Sequence, residues 1–307
     1  MDEVIWLKRS LNMRSAPGPN GVTPADLRAA ENVDIIRFYN ILLRQLTSTS
    51  KLAMERTTLI PKKDDPQDPS DFQPITITSI VTRVFYKIMA RRLGAALPSS
   101  NRQKGFKEED GVGSNLLLIR ELIQRAKQGP RNLYLGFVDF KKAFDSVCHP
   151  ALLDALRIAG FDDSSLRYLE TFYSKISTTV EGTSYNIARG VMQGDPLSPL
   201  LFNLALDYAL LGLNRGNGVE LEGEVVNYLA IADDIVVVAR DGPELQNHLD
   251  TLLDRAGRLG LEPGVHKCAT LGVMVAKRRR TWLWTTVHLV MIIPTSLSCT
   301  LITSISI

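Results

Sequence analysis

The sequence predicts an α/β fold in which an antiparallel sheet is covered by helices, and three observations carry that expectation. An apolar run over 133–139 ends on an aspartate, Asp139, as a buried strand does at a sheet rim. Two Val/Ile-rich runs, 225–231 and 235–239, flank Ala232-Asp233-Asp234 and read as a hairpin. Around them lie segments of helical periodicity, of which 243–259 is the clearest. With 307 residues, 45% of them hydrophobic, the chain can bury the core of one large domain or two.

The elements follow in order. Residues 15–24, rich in Pro and Gly, read as a loop. Ile35, Ile36, Tyr39, Leu42, Leu43 and Leu46 mark a helix over 34–46. A short strand is expected at 57–61 and a polar loop at 62–71. Ser79 is placed to cap a helix that Pro98 stops, and a further helix fits 114–128, ended by Gly129. Beyond Asp139, helices are expected at 150–159 and 164–174, then strands at 176–181 and 184–189. Ser198 as cap, with Pro199 at the first helical position, starts a helix to Leu213.

Composition sets bounds on function. The formal net charge is only +3, but basic residues are grouped at Lys62-Lys63, Arg91-Arg92, Lys141-Lys142 and Arg278-Arg279-Arg280, which suits a phosphate backbone as well as a solvated surface. Three widely spaced cysteines, Cys148, Cys268 and Cys299, imply no disulfide framework and fit a reducing compartment. Neither Cys148-His149 nor His266-Lys267-Cys268 has zinc-ligand spacing. The N-terminus, with Asp2 and Glu3, shows no secretory leader.

The chemistry concentrates at three places. Asp139 ends a strand, and Asp233-Asp234 occupies a hairpin tip. Crowded carboxylates raise one another's pKa, and a divalent cation removes the conflict. Two such ions can activate a hydroxyl and steady a leaving pyrophosphate in an in-line displacement. The third place is Arg189-Gly190-Val191-Met192-Gln193-Gly194-Asp195-Pro196-Leu197-Ser198-Pro199, a Gly/Pro-punctuated loop running into a helix. Its free backbone N–H groups suit a nucleotide or a nucleic-acid strand. Each motif taken singly also reads as an ordinary cap or turn.

The segment from Gln193 to Asn203 resembles the reverse transcriptases of non-LTR (LINE-type) retrotransposons. So do Pro17-Gly18-Pro19-Asn20-Gly21, Leu59-Ile60-Pro61-Lys62, Asp71-Phe72-Gln73-Pro74-Ile75, Gln103-Lys104-Gly105-Phe106, Asp139–Val147, Ile231-Ala232-Asp233-Asp234, and Gly260-Leu261 with His266-Lys267-Cys268. The matches are colinear over roughly residues 10–275. The resemblance implies a right-hand polymerase palm with fingers: 1–132 as fingers with the start of the palm, and 133–277 as palm. No thumb is recognised, so the element is expected to be truncated.

The resemblance also implies roles. Asp139, Asp233 and Asp234, with the backbone carbonyl of Phe140, would hold two Mg²⁺ ions, Mn²⁺ being an alternative; carboxylate oxygens suit such hard cations. Lys267 would pass a proton to pyrophosphate. Lys62, Gln73, Gln193 and Gly194 would line the nucleotide, and Phe144 would block a ribose 2′-hydroxyl. The expected reaction is RNA-templated addition of deoxynucleotides to a primer 3′-hydroxyl during retrotransposition. The partners would be an RNA template, a DNA primer or target and deoxynucleoside triphosphates. The protein would be intracellular, and nuclear for a functional element; membrane association is not expected.

Two departures bear on activity. Gln73 stands where the family usually carries arginine and cannot supply a phosphate fork. Ile231 stands where it carries Tyr or Phe. An inactive remnant that at most binds nucleic acid is therefore the rival reading, and an RNA polymerase on the same palm is another. Residues 278–307 form a tail whose part from 281 holds no Asp, Glu, Lys or Arg but ten Ser or Thr. It is long enough to span a bilayer, but Pro294 and the hydroxyls oppose a spanning helix. It reads as lying outside the fold, from a shifted frame or a truncated element, or else as a membrane segment.

Overall fold

The computed structural model describes residues 2–45, 54–68, 71–97, 99–107, 109–129, 131–192, 194–213, 217–274 and 286–288. Along the chain run helices α1 (Asp2–Arg9), α2 (Pro24–Ala29) and α3 (Asn32–Gln45), strands β1 (Met54–Pro61) and β2 (Phe72–Thr78), and helices α4 (Ile80–Ala96) and α5 (Gly111–Gln128). Then come β3 (Leu133–Val138), α6 (Ala143–Ser146), α7 (His149–Ile158), α8 (Asp163–Lys175), β4 (Ser177–Val180), β5 (Thr183–Asn186) and α9 (Ser198–Leu210). The last part holds β6 (Val219–Leu221), β7 (Glu224–Val226), β8 (Tyr228–Ile231), β9 (Asp234–Ala239), α10 (Gly242–Arg258), β10 (Ala269–Met274) and β11 (Thr286–His288). The α/β class and the antiparallel pairing of the central strands agree with the sequence reading.

Two compact units form, Met1–Pro98 with Val147–Phe202, and Ser99–Ser146 with Asn203–Ile307. They interleave along the chain, whereas the sequence reading divides it by role at 132/133. Of the tail expected outside the fold, 286–288 pair antiparallel with β10 as β11. The rest of 278–307 lies outside the described residues.

The first unit has a four-stranded sheet in the order β2-β1-β4-β5, parallel only between β1 and β4. Its core is aromatic: Tyr39, Phe85, Tyr86, Tyr168, Phe172 and Tyr173 meet at centroid distances of 5.2–6.5 Å. Helix α4 starts after Ser79 as expected, but Ser79 makes no side-chain cap; its hydroxyl accepts instead from Nδ2 of Asn20 at 2.8 Å. Ser198 is likewise the first helical residue rather than the cap. The buried carboxylate of Asp195 accepts the Leu197 N–H at 2.8 Å and the Ser198 Oγ–H at 2.8 Å.

The second unit has a five-stranded antiparallel sheet in the order β11-β10-β3-β9-β8. Leu122, Leu133, Leu135, Leu229, Val238 and Val273 belong to one buried cluster, which joins α5 to one face of the sheet. Helix α10, capped by the Asp241 carboxylate on the Glu244 N–H, buries Leu245, Leu249 and Leu252. The run expected as one strand over 225–231 is broken at Asn227, whose side chain bonds the Leu213 carbonyl. Among the described residues no helix is long and apolar enough to cross a membrane.

Candidate active site at the rim of the central sheet

Strand β3 lies in the middle of the second unit's sheet, and Asp139 is the residue just beyond it. The β3–β9 ladder pairs Val138 with Ile235. One step further, the antiparallel register brings Asp139 level with Asp234. Strands β8 and β9 close with Ile231 opposite Asp234, leaving Ala232-Asp233 as a two-residue turn. Asp139 and the adjacent Asp233-Asp234 pair, which begins 94 positions later, are thus delivered to one end of one sheet.

Two backbone bonds stitch the strand exit. Gly264 N donates to Asp139 O at 2.8 Å, and Lys141 N to Glu262 O at 2.8 Å. Phe140, 2% exposed, bridges Pro263 between them, and its carbonyl takes part in neither bond. Gly264 approaches so closely that a Cβ there would stand 2.8 Å from Oδ1 of Asp139. Lys267 lies 3.3 Å through Nζ from each Asp139 carboxylate oxygen. Apart from that contact, the buried Oδ1 has no hydrogen-bond partner among the described residues.

Asp233 is half-buried and its carboxyl pKa is raised. Burial is the main cause, and the negative charges of Asp234 and Asp139 add to it; a backbone hydrogen bond and Lys267 oppose. Asp234 is exposed. The side chains do not form a ready ligand cluster: among the described residues, no group of three or more His, Cys, Asp or Glu is drawn together to hold a metal ion.

Phe144 lies on α6 in the same unit, edge-on to Phe106 with centroids 5.7 Å apart and planes at 80°. Phe106 is 61% exposed and left-handed at φ 57°. Of the other expected residues, Lys62, Gln73 and Gly194 belong to the first unit. Lys62 is exposed beyond β1, its N–H bonded to Asp71 O at 2.7 Å. Gln73 sits on β2 opposite Ile60. Gly194 is exposed at φ 91°, a conformation that favours glycine. Gln193 lies outside the described residues.

Gln103 is the residue that sequence reasoning missed. It is fully buried and bonds Ala232 on both sides, accepting its N–H at 2.8 Å and donating to its carbonyl at 3.0 Å. The available signal was its place in Gln103-Lys104-Gly105-Phe106, which named a motif but no partner.

The family of reverse transcriptases (RNA-dependent DNA polymerases) matches residues 60–285. The chain is 33% identical over 268 residues to the "Retrovirus-related Pol polyprotein from type-2 retrotransposable element R2DM" of Drosophila melanogaster, covering 86% of this chain and 25% of that protein. It is 34% identical over 272 residues to the corresponding type-1 R2 polyprotein of Nasonia vitripennis, covering 87% and 26%. A "Probable RNA-directed DNA polymerase from transposon BS" of Drosophila melanogaster is 25% identical over 219 residues, covering 66% and 24%. The chain thus spans about a quarter of the length of these curated relatives.

Proposed function

The chain belongs to the reverse transcriptase (RNA-dependent DNA polymerase) family, and on that premise we propose that it adds deoxynucleotides to a primer 3′-hydroxyl on an RNA template. The second unit's sheet would serve as the palm and the β1–β2 ribbon as part of the fingers. The observation that carries this reading is the register that brings Asp139 level with Asp234 beside the Asp233 turn.

The residues fit a hard divalent cation. Among the described residues, Asp139 keeps a buried oxygen whose polar contact is Lys267, and Asp233 carries the raised pKa of a carboxylate that a cation would relieve. Asp139 and Asp233 would be the principal ligands, with Asp234 and the Phe140 carbonyl assisting. Two Mg²⁺ ions bound there would supply Lewis-acid activation of the hydroxyl and charge stabilisation at the leaving pyrophosphate. Lys267 Nζ is the proposed proton donor to that pyrophosphate, and Phe144 the proposed barrier to a ribose 2′-hydroxyl. Lys62, Gln73, Gln193 and Gly194 are proposed nucleotide contacts on motif position alone. The template, primer or target, and nucleotide follow as proposed partners.

Primer extension on an RNA template with Mg²⁺ or Mn²⁺ tests this. The parent chain is expected to extend, and Asp139→Asn to lose about 10²–10³-fold or more in rate. A parent that shows no metal-dependent extension would favour the second reading, an inactive nucleic-acid-binding remnant, for which Gln73 and Ile231 are the supporting observations. Use of ribonucleotides in preference to deoxynucleotides would favour an RNA polymerase.

A further inference from the structure

We infer that Gln103 is a positioning residue for the carboxylate hairpin: its buried amide holds the Ala232 backbone in a left-handed turn and so sets where Asp233 begins. The inference rests on the proposed role of Asp233 as a metal ligand.

Ala232 has φ 52°, and its turn joins β8 to β9 with only two residues. Hairpins this tight need positive φ, which glycine or asparagine normally supplies. Alanine takes up the left-handed region at a cost and keeps it only when its surroundings hold it there. Here one side chain does so. Oε1 of Gln103 accepts from Ala232 N at 2.8 Å and Gly105 N at 2.9 Å, while Nε2 donates to Ala232 O at 3.0 Å. The orientation of the amide follows from this network, since the flipped amide would face two N–H donors.

The clamp is built into the sheet. Strand β8 is an edge, and residues 102–104 run parallel along it: Ala230 N donates to Arg102 O at 3.0 Å, and Lys104 N to Ala230 O at 2.8 Å. This covers the edge and delivers Gln103 to the turn beyond the last ladder bond. Gly105 closes the contact, because a Cβ there would stand 2.3 Å from Ala232 N. Asn203 in turn holds the Gly105 carbonyl through Nδ2 at 2.9 Å. Ala232 is only 8% exposed, so without Gln103 its N–H would be left buried and unpaired.

A residue that merely fills the core and one that holds the turn differ in what rescues them. Glycine at 232 adopts the left-handed conformation without help. The test uses the full chain, with hydrogen exchange across 230–235 and Mn²⁺ binding as readouts. Gln103→Met is expected to speed exchange of the hairpin and weaken Mn²⁺ binding about 10–100-fold, as loss of a residue that orients ligands does. Adding Ala232→Gly is expected to regain part of that affinity, since glycine restores the turn but not a partner for the buried N–H. If Gln103→Met does not fold, the doubly substituted chain carries the test, and regained folding with Mn²⁺ binding supports the clamp. Parent-like exchange and affinity in Gln103→Met, or a loss that Ala232→Gly leaves unchanged, would overturn it. A parent that extends no primer, yet whose hairpin exchange depends on Gln103, would sink the polymerase reading and leave the clamp standing.

Discussion

Lys267 Nζ stands 3.3 Å from both carboxylate oxygens of Asp139, a contact that closes 128 positions of sequence. The lysine side chain is 72% exposed, so the pair contributes little to stability by itself. Its consequence is chemical, because a monovalent cation sits where the proposed divalent cation would bind.

Lys267→Met should therefore separate binding from turnover. Removing the competitor is expected to strengthen Mn²⁺ binding about two- to fivefold, the factor equivalent to one partly exposed ion pair. Loss of the proposed proton donor is expected to slow extension by about 10²-fold. Mn²⁺ titration and single-turnover extension read the two effects. Weaker binding, or an unchanged rate, would contradict the assignment.

Gly264→Ala tests the cradle of Asp139. The backbone there is ordinary, at φ −81°, so the cost is steric: the new Cβ falls 2.8 Å from Oδ1. The expected penalty is about 1–3 kcal/mol, read as a lower melting temperature and weaker Mn²⁺ binding. Gly242→Ala is the control, since a Cβ at Gly242 meets nothing within 4 Å. Equal effects from the two substitutions would show that the approach to Asp139 does not matter.

Glu55→Gln should stabilise the chain at neutral and alkaline pH but not near pH 4.5. Glu55 is 1% exposed, and burial pushes its pKa up to about 7, against a hydrogen bond from the Thr78 hydroxyl at 2.9 Å. The nearby Asp195 charge adds to the rise. A raised carboxyl favours the folded state while protonated. Its contribution is fully present below the ordinary value of 4.5 and is lost as pH rises through about 7. Glutamine keeps an acceptor for Thr78 without the charge. The substitution is expected to add on the order of 2–3 kcal/mol at pH 8 and almost nothing at pH 4.5, by thermal unfolding at both. A gain of equal size at both values would rule the charge out as its cause.

Phe144→Val should relax the choice of sugar. The Phe144 ring meets Phe106 edge-on at a centroid distance of 5.7 Å. Shortening it is expected to raise ribonucleotide use relative to deoxynucleotide use by about 10–200-fold, the range for adding or removing steric bulk in a pocket. The ratio of kcat/KM for the two nucleotides is the measurement, and an unchanged ratio would remove Phe144 from the role.

Much of the site was legible in the chain because its signals are local. An apolar run that stops at Asp139, and two Val/Ile runs around Ala232-Asp233-Asp234, identify a strand end and a hairpin tip from their residue types alone. The helix over 243–259 was readable for the same reason, the actual element being Gly242–Arg258. Strand β2 was not: Phe72–Thr78 pairs with β1 through a register that neither segment encodes by itself. The caps misread at Ser79 and Ser198 have the same cause. Serine there is a plausible cap locally, but the Ser79 hydroxyl is taken up by Asn20, and at Ser198 the capping bonds come from Asp195.

By itself, then, the sequence placed Asp139 at a strand end and Asp233-Asp234 at a hairpin tip, because hydrophobic periodicity and turn chemistry act over a few neighbours, and its colinear motifs carried the resemblance to the family. Only the tertiary structure decided that Asp139 is level with Asp234, that Lys267 reaches Asp139, and that Gln103 grips Ala232 from 129 positions away. Those relationships depend on sheet register and on the satisfaction of buried polar groups, which are settled only when distant segments meet.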